Sequence, residues 1–595
     1  MSDSKRSCLT IEWIALATTM LASAVLIVWV MWRAGSGYDF SDEGSYLHWI
    51  ANPWNYQASV TQFGFIYHPL YRLVGGDIVQ LRRSNIFITL GLGWVLCFVL
   101  LKELGSKKST ATICANWPFA GVAVALSTSS LALLNYLWLP TPSYNSLTLQ
   151  GLLIAGTGMI LAEPKISRRS VSGWILIGLA GWLTFMAKPT SAAALGIVLG
   201  AYLLLSGKMK PKLLAISLVT FGALLLFTSW LIDGSIRIFA LRLVSGVQDA
   251  KLLQGQHTLG EAMRWDDFVL SHMEKSTLFI ATLLIALSMY LCFAVHAVKR
   301  WAGAAMNLLA SFFCLMATVE IGQFIKAPSQ FQGLLYWAAP FGSLLTLVMM
   351  LPKQWPPQRP SKSWSTAMCF AAFPLVYAFG TNNNYWLAAS SAAIFWVLIG
   401  VSLIGSLQTS VLGWQIFLPL ATASQLYTAT LLSTSMDHPF RQSEPLRQQH
   451  FMMQITDTGS TIQVSREISD YLNELQLMAA KCGFKPGEPM LDLTGHYPGA
   501  LFALGAKSVG RPWMIGGYAG SDLLAHASLD REPREKLRHA WILTEPDGPR
   551  KLSPELLMSY GLDLNKDYIP AGSVNSPTGE YPKAYKQYLL KPAVQ

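Results

Sequence analysis

Charge is what this chain has least of. Only 13% of its 595 residues are Asp, Glu, Lys or Arg, against roughly a quarter in soluble globular proteins. With 52% of the residues hydrophobic, that shortage excludes a soluble enzyme and points to a polytopic membrane protein. Cysteine is sparse too. Of seven, Cys97, Cys114, Cys292, Cys314 and Cys369 lie in or beside apolar stretches. Cys482 stands alone in the polar C-terminal part, which excludes a disulfide within it. No Asn-x-Ser/Thr sequon occurs, which favours a bacterial membrane over a glycosylating secretory one. The last third also lacks a phosphate loop, metal-ligand spacing or a catalytic triad, and Gly483 to Gly487 and Gly516-Gly517 read as turns.

The net charge of +11 is no nucleic-acid footprint. The basic excess sits in short loops between apolar segments, while the last third is close to neutral. Residues 11–32 follow Lys5-Arg6 and form an uncleaved first span, since no small-residue cleavage site comes after them. Lysines and arginines then recur after alternate spans: Lys102, Lys107 and Lys108; Lys165, Arg168 and Arg169; Lys208, Lys210 and Lys212; Lys299 and Arg300; Lys353, Arg359 and Lys362. The positive-inside rule places these loops in the cytoplasm. The pattern predicts about thirteen spans, a cytoplasmic N-terminus and an external C-terminus. Residues 1–432 are the expected membrane domain and 433–595 an external α/β domain. In that second part 463–480 fits an amphipathic helix, and 489–494 and 540–544 fit short buried strands.

What the chain does have is a knot of acids in its first external loop, residues 33–84. The stretch Tyr38-Asp39-Phe40-Ser41-Asp42-Glu43-Gly44-Ser45-Tyr46 sets three carboxylates just past the end of a span, where desolvation makes them costly. Ser41 suits a helix N-cap, with Asp42 and Glu43 favoured in the first turn by the helix dipole. Further external loops carry Tyr144-Asn145, Lys188-Pro189-Thr190, and, over about 232–276, Arg237, Arg242, Asp249, His257, Glu261, Arg264, Asp266 and Asp267. Another pair holds Lys326 with Gln330-Phe331-Gln332, and Asn382-Asn383-Asn384. Lys188, a lone lysine at an external hairpin, runs against the charge bias, although a snorkelling side chain also explains it.

Asp42-Glu43-Gly44-x-Tyr46, His68-Pro69-Leu70-Tyr71, Lys188-Pro189-Thr190 and Tyr336-Trp337-Ala338-Ala339-Pro340, set in this topology, resemble the GT-C glycosyltransferase superfamily. More narrowly the chain is similar to the protein O-mannosyltransferase and lipid A aminoarabinose transferase group. The arginine that often precedes the last motif is missing, and His68 stands where the aminoarabinose transferases have lysine. The resemblance implies a GT-C-like membrane domain with a catalytic first external loop. It also implies an inverting transfer of a sugar from a polyprenyl-phosphate carrier to a lipid, glycan or protein acceptor at the external face, the bacterial inner membrane being the expected place. Such chemistry needs a carboxylate to deprotonate the acceptor and cations for the leaving phosphate. The resemblance makes Asp42 the candidate base, with Glu43 as a second carboxylate or local orienter. His68, Lys188, Arg237 and Arg242 are candidate phosphate partners, and Tyr46, Tyr67, Tyr144 and Asn145 candidate sugar contacts. No cofactor is expected, and a divalent metal is not indicated, although the acids at 261–267 leave room for one.

A transporter or flippase of a lipid-linked sugar would have the same spans and loops. It would also place ionisable groups and internal repeats near the bilayer midplane. Here the spans are nearly free of charge, Asp233 and Glu320 near their ends excepted, and the acids gather in loops.

Overall fold

A computed structural model describes residues 3–105, 117–135, 137–253, 270–294, 296–319, 329, 331–350, 362–381, 383–407, 413–456 and 458–593. Lys107, Lys108, His257, Glu261, Arg264, Asp266, Asp267, Glu320, Lys326, Gln330, Lys353, Arg359 and Asn382 lie outside them.

Long apolar runs make the first layer of structure. In a bilayer only a helix satisfies its own backbone polar groups. Among the described residues nine helices are long and apolar enough to cross: Thr10–Arg33, Ile78–Gly105, Trp117–Leu134, Arg168–Ala187, Pro211–Asp233, His272–Cys292, Val298–Thr318, Gln332–Met350 and Trp414–Asp437. Four shorter or less apolar helices, Tyr144–Leu161, Pro189–Leu205, Lys362–Ala378 and Ile394–Ile404, pack among them. The expected count of about thirteen is met only if these four cross as well. The chain is a polytopic α-helical membrane protein with a C-terminal sheet domain. The helix Pro211–Asp233 leaves Leu218, Val219, Leu226, Phe227 and Trp230 exposed, a face suited to lipid.

The helices that frame the loop end are α1 (Asp3–Arg33), α2 (Asp42–Ala51), α3 (Phe63–Leu73), α4 (Ile78–Gly105), α5 (Trp117–Ser127), α6 (Tyr144–Leu161), α7 (Arg168–Ala187), α8 (Pro189–Leu205), α9 (Pro211–Asp233) and α10 (Ile236–Leu253). An Arg169–Glu103 ion pair of 2.7 Å puts the start of α7 beside the end of α4. The opposite end therefore gathers the first loop, Tyr144 at the start of α6, and Lys188 between α7 and α8.

The last membrane helix ends at Asp437, five residues past the expected domain boundary. Beyond it, β1 (Phe451–Ile455) and β2 (Ser460–Val464) form an antiparallel hairpin. The expected helix begins later than the sequence suggested, at Arg466, because β2 takes 460–464 and Ser465 caps the helix by accepting from Ile468 N at 3.2 Å. A five-stranded sheet follows: β3 (Pro489–Asp492), β4 (Lys507–Ser508), β5 (Trp541–Thr544), β6 (Tyr568–Asn575) and β7 (Lys586–Pro592), in the order β4-β3-β5-β7-β6. Its β3 pairs are parallel and its β7 pairs antiparallel.

This domain is bolted to the first loop through backbone. Gly37 N donates to Gln463 O at 2.8 Å and Gln463 N to Gly35 O at 2.9 Å, so the loop joins the hairpin through an isolated parallel bridge at Ser36. Gly499 N donates to Phe40 O at 2.6 Å, and Tyr38 Oη donates to Gly499 O at 2.8 Å. A Cβ at Gly44 would collide with the backbone of Gly499 and Pro498, so α2 meets the short helix Pro498–Ala503 with no side chain between them. Far from these contacts, Asp249 of α10 is buried between Arg511 (2.7 Å) and Arg531 (2.6 Å) of the same domain. Gly44→Ala is expected to destabilise the protein by about 1–3 kcal/mol, as overpacking does, and to make the C-terminal domain more sensitive to protease in detergent. An unchanged melting temperature and digestion pattern would contradict the close backbone contact.

Candidate active site

The three acids of the loop part company in the structure. Glu43 is sealed in, its carboxylate bidentate with Arg82 of α4 at 2.9 and 2.7 Å, and Thr141 donates to it as well. Arg82 also donates to Ala34 O at 3.0 Å and Gly37 O at 2.8 Å. Glu43, expected as a second carboxylate or local orienter, is thus engaged on both oxygens in holding the loop. Asp39 is buried as well. Its Oδ2 accepts from Glu43 N at 3.0 Å, and its Oδ1 from Ser41 Oγ at 2.8 Å. Asp39 therefore does the capping assigned to Ser41, whose own side chain makes no cap bond. Burial, and then the neighbouring charge of Asp42, push the Asp39 carboxyl up to about 7.

Asp42 alone of the three keeps an open face, with 28% of its side chain accessible. Its Oδ1 accepts from Tyr46 Oη at 3.3 Å and its Oδ2 from Arg441 Nη1 at 3.3 Å. Burial raises its carboxyl above the ordinary range, and Arg441 opposes that rise. From Tyr46 an aromatic path leads across the bundle. Tyr144 stands edge-on to Tyr46 at 5.9 Å, and Lys188 Nζ lies 5.5 Å from the Tyr144 ring and 4.6 Å from that of Tyr377. Lys188 is buried, donates to Tyr377 O at 3.1 Å, and has no carboxylate within ion-pair distance among the described residues. Burial without a counter-charge brings its ammonium down to about 7. Asn145 is half-buried next to Tyr144.

The other expected contacts fall elsewhere. His68 donates from Nδ1 to Ile50 O at 2.8 Å and stands edge-on to Trp54. That is the far end of α2, roughly 12 Å along its axis from Asp42 at 1.5 Å per residue. Arg242 is consumed by Asp233 at 2.9 and 2.6 Å and by Tyr56 O, and it stacks over Phe65. It clamps the loop to α9 and offers no free charge to a phosphate. Arg237 is exposed on α10 and makes no described contact with the site. Tyr67 is buried and donates to Gln150 at 2.9 Å, inside a network with Asn85 and Thr89. Its hydroxyl is thus already engaged within the bundle. Among the described residues no group of three or more His, Cys, Asp or Glu side chains could hold a metal ion.

No family model matches the chain, and neither does any curated protein. Solved structures do. The ArnT of Cupriavidus metallidurans bound to undecaprenyl phosphate is similar over 96% of this chain and 98% of its own, at 15% identity and a TM-score of 0.43. Its apo form is similar over 97% of each, at 13% identity and 0.39. The apo oligosaccharyltransferase of Archaeoglobus fulgidus is similar over 90% of this chain and 69% of its own, at 12% identity and 0.43.

Sequence reasoning missed the groups that the C-terminal domain brings to Asp42. Arg441 donates to Ser41 Oγ and pairs with Glu580 at 3.1 Å. Glu580 also meets His496, and Arg550 at 3.2 Å. Burial alone would raise the Glu580 carboxyl, but the bond from His496 and the charges of His496, Arg441 and Arg550 hold it below the usual range. Nothing in a sequence links residues 399 positions apart. Arg82 was within reach, as a basic residue in the loop that the charge bias is expected to keep outside.

The Arg242–Asp233 pair is nearly fully buried. Arg242→Ala is expected to cost about 3–5 kcal/mol of stability, because it strands a buried carboxylate, whereas Arg242→Met with Asp233→Leu should recover most of that. Denaturation in detergent measures both. A destabilised double variant equal to the single one would contradict the assignment.

Proposed function

We propose that the chain is an inverting glycosyltransferase that moves a sugar from a polyprenyl-phosphate carrier to an acceptor, with Asp42 as general base. The observation that carries this reading is that Asp42 alone, of the three loop acids, is both open and held by donors. It stands at one end of an aromatic path whose other end is a buried lysine with no carboxylate within ion-pair distance among the described residues. In the reaction Asp42 takes the proton of the acceptor group as that group bonds the anomeric carbon. The bond from that carbon to the phosphate oxygen breaks, and the lipid phosphate leaves with both electrons. Lys188 receives the growing charge on the leaving side, and Tyr46 and Tyr144 face the sugar between the two groups. A retaining route needs a second carboxylate about 5–5.5 Å away, free to attack. Glu43 is sealed by Arg82 and Asp39 is spent on capping, which supports inversion.

The lipid carrier places the reaction where nucleotide sugars are absent. We therefore put the loop and the C-terminal domain on the external face of a bacterial inner membrane, with the N-terminus in the cytoplasm. No cofactor takes part in this scheme. The acceptor is a lipid, glycan or protein carrying a nucleophilic group, and the intervening charge-poor spans favour transfer over transport of the intact lipid.

Asp42→Asn is expected to keep normal membrane abundance and donor binding and to lose about 100- to 10,000-fold in transfer, the usual worth of a general base. Asp39→Asn should be far milder, because an amide oxygen still accepts at the cap. Radiolabelled transfer assays on both variants decide this, and near-normal turnover in Asp42→Asn would sink the base.

The lysine makes a second prediction. Its proton is held weakly in the free protein, at about 7, and a bound phosphate holds it more tightly. Donor affinity should therefore fall as pH rises above about 7, by at most about tenfold per unit. Lys188→Met should bind weakly and lose that pH dependence. Donor titrations that are flat from pH 7 to 9 in the unmodified protein would contradict the contact.

A further inference from the structure

We infer that Arg441, supplied by the C-terminal domain, is a positioning residue that orients Asp42 and keeps it ionised. The inference rests on the reading of Asp42 as the base. The arginine is built into place on all sides. Its backbone sits in the left-handed region at φ 55°, which a residue with a side chain adopts at a cost and only where its surroundings impose it. Gln442 forms an isolated antiparallel bridge with Gly579. A Cβ at Gly579 would collide with Arg441 O, so the two segments touch through their backbones. That contact carries Glu580 to the guanidinium.

The guanidinium lies 4.5 Å from the Phe440 ring and 6.0 Å from that of Trp513. Nη1 serves Ser41 and Asp42 on one edge while Nε serves Glu580 on the other. Glu580 is itself shared among His496, Arg441 and Arg550. Arg441 thus stands between two carboxylates, one fixed and one open.

The ionisable groups facing Asp42 are Asp39 and Tyr46 from its own loop and helix, Tyr144 from α6, and Arg441, His496 and Glu580 from the C-terminal domain. Arg441 is the nearest positive charge, and it acts against both the burial of Asp42 and the negative charge of Glu580. A base must be deprotonated to work, so the arginine shifts the acidic limb of the rate profile downward. Glu580, by claiming part of the same guanidinium, shifts that limb upward. Removing one or the other should move the limb in opposite directions, which simple loss of packing does not do.

The test is the pH profile of kcat/KM for sugar transfer by the full-length protein in detergent, with a radiolabelled polyprenyl-phosphate sugar. Arg441→Gln should move the acidic limb up by about 1–3 pH units, the worth of one close opposite charge, with the rate recovering at high pH. Arg441→Lys should restore the limb but not the full rate, because an ammonium cannot copy the two-edged fork. Glu580→Gln should move the limb down. Limbs that coincide with that of the unmodified protein in both Arg441→Gln and Glu580→Gln overturn the inference, and so does a shift of the same sign in both. Should Arg441→Gln fail to fold, Glu580→Gln still decides by the direction of its shift. Asp42→Asn separates the two claims. Loss of transfer in Asp42→Asn with unmoved limbs in the other variants defeats the positioning role alone, whereas retained transfer defeats the base itself.

Discussion

The sealed pair of Arg82 and Glu43 is the contact on which the rest of the structure depends. A guanidinium that reaches Ala34 O, Gly37 O and both oxygens of Glu43 fixes the exit of α1, the first turn of α2 and the start of α4 at one point. With Glu43 drawn inward, the neighbouring Asp42 is turned about 100° around the helix from it, towards Tyr46 and Arg441. Two buried charges are expensive to desolvate, and an apolar pair of the same volume is often as stable. What an ion pair adds is direction, because only one rotation of α2 satisfies the fork of Arg82. Asp42 is thus oriented from beneath by the Arg82–Glu43 pair.

The C-terminal domain completes what that pair begins. Glycines at 44 and 499 let two helices approach through their backbones, and Tyr38 and Phe40 pack with Tyr471 and Tyr497 in an aromatic cluster across the same seam. Asp249 between Arg511 and Arg531 holds the domain a second time, against α10. Two separate attachments resist rotation better than one. They keep Arg441 and Glu580 in register with Asp42, so the domain forms part of the wall around that carboxylate.

The sequence made the membrane architecture and the position of Asp42 legible, because both rest on local physics. Apolar runs of bilayer length have one backbone solution, and three acids at the end of a span stand out against a charge-poor chain. Lys188 was visible for the same reason, as a cation on the wrong side of a charge bias. What stayed hidden depends on partners far away in sequence. Tyr67 reads in the sequence as a sugar contact, but its hydroxyl donates to Gln150, and Arg242 reads as a free cation, but it pairs with Asp233. Arg82 falls by sequence in the loop at 33–84, whereas α4 begins at Ile78, four residues ahead of the arginine, and turns it towards Glu43. The β1–β2 hairpin stays hidden because Phe451-Met452-Met453-Gln454-Ile455 scarcely alternates, and the loop at Gly35 to Gly37 meets it only through Gln463 of β2.

The central claim is that a glycosidic bond is broken at this site, and that the lipid-linked sugar does not pass through intact. Purified protein in proteoliposomes, given a radiolabelled polyprenyl-phosphate sugar and an extract of candidate acceptors, tests it directly when product and lipid are followed together by mass spectrometry. The account predicts label on an acceptor and one free polyprenyl phosphate released for each sugar transferred. Intact labelled lipid appearing in the opposite leaflet, with no phosphate released and no acceptor modified, would contradict it.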